Sequence, residues 1–393
     1  MRLLRELAVH HDPGALHDAW SAAESFVLLP EKLAVTDSWL EDTLACVPDS
    51  LRKGHFIMLT SGTTGHPKLV IGNRSRSEQL ARVLHEFQHS EPVSETLVAL
   101  PLSYSYSFVN QWLWARVHQR KMRMTAGLGD PQALGETLAT ASNAMICLVG
   151  IQVPLLVEHF GNRTFPGVIR VHFAGGRFPQ ERLGELRSLF PNAQVFNNYG
   201  CAEAMPRLTL RRAEAADESA NIGTPLRGIE LRSNADHALQ FRSPYGAVGV
   251  VEDFRFAAIH DEDWMPTGDL GEQTENGSWR LLGRASEVFK RHGEKVSLQL
   301  LTSTVTAAWP GQCAFYRETD RLGEDGCVLT VAPPASAEAL QQVLLALRKH
   351  HPRSQWPLRI EAVSNLPLLP NGKPDLRSLP GFPGKTTLWQ QHI

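Results

Sequence analysis

The sequence predicts an α/β fold with a large N-terminal domain and a smaller C-terminal domain. Short runs of β-branched residues alternate with helical patterns through most of the chain, which favours α/β architecture. Predicted strands at 56–59, 168–173 and 195–198 each lead into a glycine-containing loop. Open α/β sheets bind ligands in such loops. The 393 residues suffice for two or three domains with a large core.

The residue composition of the sequence changes at about residue 222. From there, glycines and prolines separate short strands, which indicates a β-rich module within the N-terminal domain. After Gly283-Arg284 the chain has its own strands and an amphipathic helix near 337–350. We therefore predict domains at 1–284 and 285–393.

Two segments carry further local predictions. The most apolar stretch, 144–157, is interrupted by Gly150, Gln152 and Pro154 and is too short to span a bilayer. It is predicted to be a buried strand and a turn. The segment P-G-F-P-G-K-T-T-L-W-Q-Q at 380–391 is predicted to be a tail.

Charge and cysteine content exclude several classes of protein. The 39 basic and 41 acidic side chains, with no long run of either sign, give no electrostatic footprint for nucleic acid or an anionic membrane. The five cysteines lie far apart without a C-x-x-C pair, which argues against a disulfide framework or a zinc site and suits a reducing compartment. Glu6, His10 and His11 fall where a signal peptide needs an apolar block. We therefore expect a cytoplasmic protein without nucleic-acid or membrane partners.

Residues 60–68, T-S-G-T-T-G-H-P-K, predict a phosphate cradle. The two glycines allow backbone conformations in which amide N–H groups turn toward a polyphosphate, while hydroxyl groups and a lysine add donors and charge. The spacing G-x-x-G-x-x-K differs from the P-loop, which needs four residues between its glycines. The alternative is a polar glycine-rich hairpin. The residues of the predicted cradle are Thr60, Ser61, Gly62, Thr63, Thr64, Gly65 and Lys68.

All nine positions of this loop resemble the signature loop of the adenylate-forming superfamily, which contains acyl-CoA synthetases, aryl-acid ligases and nonribosomal adenylation domains. The resemblance covers roughly Phe56 to Asp375 through an ordered series of segments. It implies the adenylate-forming enzyme fold, with a large N-terminal α/β domain, a β-rich module and a small mobile C-terminal α+β domain. It also implies ATP and Mg²⁺ as ligands.

The segment N-N-Y-G-C-A-E-A at 197–204 is similar to the family's Y-G-x-T-E segment. By this resemblance Tyr199 stacks on adenine, and Glu203 serves catalysis by holding magnesium. An aromatic face suits a purine, and a hard cation that bridges phosphate oxygens takes a carboxylate. Taken alone, the two residues would be a core aromatic and a surface acid. Ala202 stands where the family has Thr. The other nucleotide-site candidates of this segment are Asn198, Gly200 and Cys201.

Two more segments contribute to the implied nucleotide site. In A-G-G-R at 174–177, Gly175 and Gly176 match the glycine pair that lets the backbone pack against adenine, although a lone Gly-Gly is often only a turn. P-T-G-D-L-G at 266–271 matches the family's T-G-D box, in which Asp269 accepts hydrogen bonds from the ribose hydroxyls. Carboxylates bind ribose diols in this way in other nucleotide sites.

The stretch G-R-A-S-E-V-F-K-R-H-G at 283–293 resembles the family's hinge segment. The resemblance directs Arg284 at ribose or phosphate and places Gly293 on a loop that enters the site for a second half-reaction. The hinge position, usually acidic or Lys, is Ser286 here. Hinges need backbone freedom more than a particular side chain, so we take Ser286 as a tolerated hinge.

The last segment, L-P-L-L-P-N-G-K-P-D at 366–375, is similar to the family's L-P-x-T-x-N-G-K-x-D. The resemblance makes Lys373 the catalytic lysine, which bridges the acyl carboxylate, the α-phosphate region and the ribose. Leu369 stands where Thr is usual, and Pro374 is atypical. Taken alone, Gly-Lys at a domain edge is a solvated turn.

The segment 101–111, P-L-S-Y-S-Y-S-F-V-N-Q, bears on which acid is used. Amino-acid-activating relatives commonly have an Asp here that pairs with the substrate ammonium, whereas this stretch contains no acid. Because a buried ammonium without a counter-charge is costly, we expect an uncharged aryl or short acyl acid, unless Glu95 or Asp130 supplies a charge from elsewhere in the fold. The pocket candidates, whose aromatic members could equally be core, are Tyr104, Tyr106, Phe108 and Gly150.

Together these segments imply an ATP-dependent, AMP-forming acid–thiol ligase. No obvious basic run would bind the phosphates of coenzyme A and no carrier motif is appended, which favours a separate acyl carrier protein, as in secondary metabolite biosynthesis. The alternatives are an acyl-CoA ligase using free coenzyme A, an amino-acid-activating enzyme, an amide-forming ligase and a noncatalytic adenylate-binding relative. Only 59 residues precede Thr60, so we expect an N-terminally shortened, stand-alone member.

Overall fold

The structure is a computed structural model and describes residues 1–31, 35–60, 67–176, 178–309, 311–368 and 374–391. The chain divides into two compact units. The first unit comprises Met1–Arg232, Gln240–Thr267 and Gln273–Arg280, and the second comprises Ser233–Leu239, Gly268–Glu272 and Leu281–Ile393. Because each unit takes several segments of the chain, the division into domains 1–284 and 285–393 stays a prediction.

Six of the helices given below, which are α2, α3, α4, α7, α10 and α11, begin at a side chain that accepts a hydrogen bond from one of the first backbone N–H groups. Asn73 accepts a hydrogen bond from the N–H of Arg76, and Asp130 accepts one from Ala133 before a proline at the first helical position. Among the described residues, no helix is long and apolar enough to cross a membrane. The helices are α1 (Glu6–His11), α2 (Pro13–Ser21), α3 (Asp37–Ala45), α4 (Arg74–Phe87), α5 (Ser105–Ser107), α6 (Trp114–Val117), α7 (Pro131–Ala139), α8 (Gln152–Phe160), α9 (Leu183–Leu189), α10 (Leu298–Ala308) and α11 (Ala337–His350).

The strands confirm the three predicted at the outset, which are β3, β8 and β9 below, and the β-rich stretch after residue 222. The strands are β1 (Arg2–Arg5), β2 (Phe26–Leu29), β3 (His55–Thr60), β4 (Lys68–Asn73), β5 (Glu95–Val98), β6 (Lys121–Met124), β7 (Ala144–Leu148), β8 (Val168–Phe173), β9 (Gln194–Tyr199), β10 (Thr209–Arg212), β11 (Asn221–Pro225), β12 (Glu230–Ser233), β13 (Ala238–Arg242), β14 (Gly249–Glu252), β15 (Arg255–Ala258), β16 (Met265–Gln273), β17 (Trp279–Arg284), β18 (Val288–Arg291), β19 (Glu294–Ser297), β20 (Gln312–Thr319), β21 (Asp325–Ala332), β22 (Arg359–Ala362) and β23 (Thr386–Gln390).

Two sheets organise the first unit. The smaller has the strand order β1-β2-β3-β4-β14-β15. The larger sheet has eleven strands, in the order β12-β13-β16-β17-β11-β10-β9-β8-β7-β5-β6, and the pairs from β9 to β6 are parallel. The carboxyl ends of β5, β7, β8 and β9 therefore lie at one edge of this sheet, where parallel sheets bind ligands.

The two faces of the larger sheet differ in chemistry. One face, called the apolar face here, is covered by α7, α8 and α9 and belongs to a large hydrophobic cluster. Its strand residues include Leu97, Ile146, Leu148, Val171, Phe173 and Val195. The residues that alternate with them on β7 and β8 form the opposite, polar face, which includes Cys147, Arg170 and His172.

The second unit contains a hairpin and a small α+β core. In the hairpin β18-β19, His292 and Gly293 form a two-residue turn with φ of +49° and +81°, a conformation that glycine favours. The four-stranded sheet has the order β20-β21-β22-β23, and α10 and α11 contribute to the hydrophobic core built on it. The predicted helix near 337–350 is confirmed as α11.

Two local predictions need correction. Residues 144–157 form β7 and a turn, as predicted, but the segment continues into the start of α8, which was not predicted. Pro154 is tolerated because it lies in the first turn of α8, where backbone N–H groups have no partner within the helix. Residues 380–391 are not a tail, since β23 pairs with β22 and Lys385 forms an ion pair with Glu361 at 2.9 Å.

Candidate active site

β3 and β4 carry the two ends of the predicted phosphate cradle. In this antiparallel pair Thr60 lies opposite Lys68. The Oγ1 atom of Thr60 is buried and has no hydrogen-bond partner among the described residues, so it can bond a ligand in the loop. The cradle residues outside the described part of the chain are Ser61, Gly62, Thr63, Thr64 and Gly65.

An ion pair joins the cradle to the predicted metal-binding acid. Nζ of Lys68 contacts Oε1 of Glu203, and the two side chains are 17% and 16% exposed. Glu203 lies in the short 3₁₀ turn Ala202–Ala204, and its carbonyl accepts a hydrogen bond from the N–H of Ala247 at 2.8 Å. A cation and a carboxylate beside one loop offer partners to phosphate oxygens and to a metal that bridges them.

The carboxylate of Glu203 is a suitable ligand for Mg²⁺. Magnesium commonly takes one or two protein carboxylates and fills its octahedral shell with water and substrate phosphate oxygens. Within the part of the chain that the structure describes, no group of three or more His, Cys, Asp or Glu side chains could hold a metal. A single carboxylate, Glu203, therefore suits a magnesium ion shared with a nucleotide better than an all-protein cage.

The glycine pair after β8 borders open space. Gly175 has φ of +79°, which a side chain would disfavour, and a Cβ there would touch only Cγ1 of Val149, at 3.7 Å. A Cβ on Gly176 would meet no atom of the described residues within 4 Å, its chain neighbours aside. A flat ligand can therefore pack on the backbone of Gly176 without displacing protein atoms.

The end of β9 is tied to the end of β8. Nδ2 of Asn198 donates to the carbonyl of Phe173 at 3.0 Å, while its buried Oδ1 has no partner among the described residues. Tyr199, at the last position of β9, is 8% exposed. The predicted nucleotide residues of β9 therefore begin beside the glycine pair, at the ligand-binding edge of the sheet.

Gly200 is required by a close backbone approach. A Cβ at this position would lie 1.8 Å from the carbonyl oxygen of Pro206. The following residues, Cys201 and Ala202, are half-buried and lead into the turn that carries Glu203. The tight loop thus determines where the carboxylate of Glu203 lies.

The four acyl-pocket candidates occupy different environments. Phe108 is fully buried and its ring lies 5.0 Å from that of Phe56 and 4.9 Å from that of Trp112, so it is a core residue and not a pocket wall. Tyr104 is half-buried, and burial raises the pKa of its hydroxyl. Gly150 is half-buried in the turn between β7 and α8.

The two acids that the sequence offered as partners for a substrate ammonium, Glu95 and Asp130, are engaged elsewhere. Glu95 lies at the amino end of β5, opposite the ligand-binding edge, and accepts a hydrogen bond from the N–H of Ser142 at 2.9 Å. Asp130 caps α7. Neither acid is placed to pair with an ammonium in the predicted acyl pocket.

A buried polar cluster on the polar face was not predicted. It consists of Tyr106, Cys147, His172 and Arg207, all less than 9% exposed. Cζ of Arg207 lies 4.5 Å from the centre of the Tyr106 ring. Sequence reasoning missed Arg207 because arginine is rarely buried and its neighbours in the chain give no signal of burial.

Burial sets the charge states of this cluster. Loss of water raises the pKa of Tyr106 well above its usual value and that of Cys147 to about 11. The pKa of His172 is lowered well below its usual value, first by burial and then by the positive charges of Arg207 and Arg170. Tyr106, Cys147 and His172 are therefore neutral near pH 7, and Arg207 carries the charge of the cluster.

In the second unit, Asp269 and Arg284 form an ion pair at 2.9 Å. Asp269 is mostly buried, and Arg284 is half-exposed. The preceding Gly268 has φ of +77°. The hinge candidate Ser286 is exposed in a 3₁₀ turn directly after β17. The structure thus brings together the two residues that the resemblance assigned to ribose and phosphate.

The segment of the predicted catalytic lysine has its two ends held together. Leu368 and Pro374 form a β-bridge, and the N–H of Asp375 donates to the carbonyl of Pro367 at 2.8 Å. Lys373 itself lies outside the described residues. Its assignment stays a prediction.

Comparison with known proteins identifies the family. The model of the AMP-binding enzyme family matches residues 14–249 of the chain. The match covers more than half of the sequence and contains both the cradle and Glu203. The chain therefore belongs to the AMP-binding enzymes, and the resemblance drawn from its motifs is confirmed.

Two curated relatives are ligases or synthetases of this type. Tyrocidine synthase 3 of Brevibacillus parabrevis is 25% identical over 369 residues, which are 86% of this chain and 6% of the synthase. The D-alanine–D-alanyl carrier protein ligase of Staphylococcus aureus is 23% identical over 340 residues, which are 82% of this chain and 70% of the ligase. The chain thus spans a small part of the first relative and most of the second.

Solved structures confirm the fold. The o-succinylbenzoate CoA synthetase of Bacillus subtilis, in complex with its acyl-adenylate intermediate, matches with a TM-score of 0.78 and 19% identity over 96% of this chain and 87% of that chain. The predicted α/β fold of adenylate-forming enzymes, with a small C-terminal sheet domain, is therefore confirmed.

Proposed function

We propose that this chain converts ATP and a carboxylic acid to an acyl-adenylate and pyrophosphate, and then transfers the acyl group to the phosphopantetheine thiol of a carrier protein. The ion pair between Lys68 and Glu203 beside the cradle carries the first half of this proposal. Membership of the AMP-binding enzymes supports it. The carrier protein is favoured by the similarity to a carrier protein ligase.

In the first step, a carboxylate oxygen of the acid attacks the α-phosphorus of ATP. A bond forms between the carboxylate oxygen and the α-phosphorus, while the bond between the α-phosphorus and the oxygen that bridges to the β-phosphorus breaks. The electron pair of the broken bond leaves with pyrophosphate. Lys68 and the donors of the cradle stabilise the phosphate charge. Glu203 holds Mg²⁺, which supplies further electrostatic stabilisation to the phosphates. Gly176 gives adenine a flat backbone surface, and Asp269 accepts hydrogen bonds from the ribose.

In the second step, a thiolate attacks the acyl carbon and AMP leaves. The exposed Ser286 serves as the hinge. Rotation of the C-terminal domain about it withdraws Lys373 after the first step and presents the loop at Gly293 for the second. Lys373→Ala should therefore abolish adenylate formation but leave thiolysis of a supplied acyl-adenylate largely intact. Single-turnover assays of the two half-reactions measure this, and equal loss in both would contradict the exchange.

The acid is proposed to be an aryl or short acyl acid without an ammonium group. The relative named for D-alanine favours the alternative, an amino acid. Against that alternative, residues 101–111 contain no acid, and Glu95 and Asp130 are engaged elsewhere. An unpaired buried ammonium would cost several kcal/mol, on the order of 2–5.

Acid-dependent exchange of pyrophosphate into ATP tests the proposal. A panel of aryl, short aliphatic and amino acids should include at least one non-amino acid that supports exchange. Glu203→Gln should lower the exchange rate by about 10²- to 10³-fold. The control Glu158→Gln changes an exposed acid on α8 and should leave the rate unaltered. Exchange that is insensitive to Glu203→Gln would contradict the proposed role of the carboxylate.

The acceptor is tested with three nucleophiles. After adenylate formation, the acyl group should transfer to the thiol of a phosphopantetheinylated carrier protein faster than to free coenzyme A or to an amine. Faster transfer to coenzyme A would identify an acyl-CoA ligase instead, and faster transfer to an amine would identify an amide-forming ligase.

A further inference from the structure

Arg207 has unsatisfied donors in the interior of the first unit. The residue is 1% exposed, and its Nε and Nη2 atoms are buried without a hydrogen-bond partner among the described residues. These two N–H groups share one edge of the guanidinium plane, the edge that binds both oxygens of a carboxylate. The ring of Tyr106 lies under the guanidinium, and its buried hydroxyl interacts with Arg207 and with Cys147.

The chain supplies no side-chain acid to this guanidinium. Among the described residues, no carboxylate forms an ion pair with Arg207. The residues outside the described ranges contain neither Asp nor Glu. A fully buried cation with two unpartnered donors is costly, so a position of this kind indicates a ligand that brings the counter-charge.

The cluster around Arg207 lies at the ligand-binding edge of the larger sheet. Arg207 is in the loop after β9, and Tyr106 follows the end of β5. Tyr106 packs with Cys147 of β7 and with Ala174, the residue before the glycine pair. Val149 packs against the same group and is the residue that a Cβ on Gly175 would touch. The guanidinium is thus connected through direct packing to the surface proposed for adenine.

We propose that Arg207, together with the Tyr106 hydroxyl, binds a second carboxylate on the acid that this enzyme activates. The substrate is then a dicarboxylic acid, in which one carboxylate reacts with ATP and the other pairs with Arg207. This inference rests on the proposed function and replaces the expectation of an uncharged acid. It also explains why an amino acid would be disfavoured, since its ammonium would meet a cation.

Matched pairs of acids test this inference in two assays. The pairs are succinate with butyrate, glutarate with valerate, and isophthalate with 3-methylbenzoate, so that a methyl group replaces one carboxylate. In pyrophosphate exchange, the enzyme should prefer the dicarboxylate of at least one pair by about 100-fold or more in kcat/KM. In thermal unfolding with AMP present, the same dicarboxylate should raise Tm and its matched acid should not.

Two variants assign the preference to Arg207. Arg207→Met removes the charge at similar length and should abolish both the preference and the Tm shift, while ATP still raises Tm as in the wild type. Arg207→Lys keeps the charge but loses the two-donor edge, and should retain part of the preference. The unchanged response to ATP shows that each variant is folded.

The outcomes separate the two proposals. If a dicarboxylate raises Tm through Arg207 but no acid supports exchange, the carboxylate site stands and the proposed function is wrong. If a monocarboxylate supports exchange equally in the wild type and Arg207→Met, the function stands and the Arg207 inference is wrong. If Arg207→Met weakens all acids equally, Arg207 binds the reacting carboxylate, which also overturns the inference. No dicarboxylate preference in either assay overturns it as well.

Discussion

The two faces of the larger sheet have the same strands but different roles. Along β8, Arg170 and His172 point to the polar face, while Val171 and Phe173 point to the apolar face. The apolar face is packed mainly with hydrophobic side chains, which form one continuous cluster with those of α7, α8 and α9. The polar face contains buried groups with unsatisfied hydrogen-bonding atoms, among them both ring nitrogens of His172.

Because of this difference, one face of the sheet contributes mainly to stability and the other to function. Close-packed apolar side chains stabilise a fold in proportion to the surface they bury. Buried polar groups without partners do not contribute stability, and their presence in a protein calls for another explanation. We infer that the apolar face holds the sheet together and that the polar face provides the acyl pocket. Substitutions on the two faces and at the ligand-binding edge test this division.

The largest loss of stability is expected on the apolar face. Phe173→Ala removes a ring that is 1% exposed and packs edge-on against Phe178 at 5.5 Å. The free energy of unfolding should fall by about 3–5 kcal/mol because a cavity replaces the ring. Chemical denaturation measures this. The control Leu155→Ala, at an apolar residue that is 44% exposed, should change stability by less than about 1 kcal/mol. Equal losses would contradict the division.

On the polar face, Arg207→Met should not destabilise the fold. A buried charge without an acidic partner has a desolvation penalty that no ion pair offsets. Its replacement by an apolar side chain should therefore leave the free energy of unfolding unchanged or raise it by about 1–4 kcal/mol. Denaturation without ligands measures this. A loss of more than about 2 kcal/mol would show that Arg207 has a structural role.

The pH dependence of stability should report on His172. Burial lowers the pKa of His172 in the folded state, so below about pH 6.5 the unfolded chain binds a proton that the folded chain does not. Stability is therefore present above that pH and is lost as the pH falls, by about 1.4 kcal/mol per pH unit for each such histidine. Burial also lowers the pKa of four other histidines, which are His55, His85, His118 and His351.

His172→Phe keeps a ring against Phe196, whose centroid lies 5.0 Å away, and removes the titrating group. The slope of unfolding free energy against pH between 6 and 5 should become shallower by about 1.4 kcal/mol per pH unit, while the difference between the two proteins above pH 7.5 should be constant. An unchanged slope would show that His172 is protonated in the folded state.

The smallest effect on stability is expected at the glycine pair. Gly176→Ala places a methyl group in open space and should change the free energy of unfolding by less than about 0.5 kcal/mol, yet it should raise the KM for ATP. Gly200→Ala forces a methyl group against the carbonyl of Pro206 and should cost about 1–3 kcal/mol or more. An unaltered KM for ATP in Gly176→Ala would place adenine elsewhere.

Local patterns predicted most of the fold. The strands at β3, β8 and β9 and the helix α11 have strong local signals, which are β-branched runs and helical periodicity. β23 was missed because its pairing with β22 is a contact between distant segments, and its composition with two prolines and two glycines upstream resembles a tail. Non-local pairing of this kind leaves no periodic signal in a short strand.

The candidate site was predicted from sequence motifs. The prediction failed where a residue's role depends on its burial in the folded chain. Lys68 and Glu203 carry motif signals, and they are in contact in the structure. Phe108 lies in a motif-like segment, but its burial depends on aromatic partners from two other elements, Trp20 of α2 and Phe56 of β3, as well as on Trp112 of its own helical segment. Arg207 has no motif signal, and only the three-dimensional structure shows that it is buried, with Nε and Nη2 lacking a hydrogen-bond partner among the described residues.

The most direct test of the account is an analysis of the products of ATP. The protein is incubated with Mg²⁺, ATP labelled at the α-phosphate, and each acid of the matched pairs, without a thiol acceptor. We expect an enzyme-bound acyl-adenylate and pyrophosphate, with the amount of pyrophosphate equal to the sum of acyl-adenylate and free AMP, and the largest yield of acyl-adenylate from a dicarboxylate. Formation of ADP and phosphate, or no acid-dependent cleavage of ATP with any acid, would contradict the account.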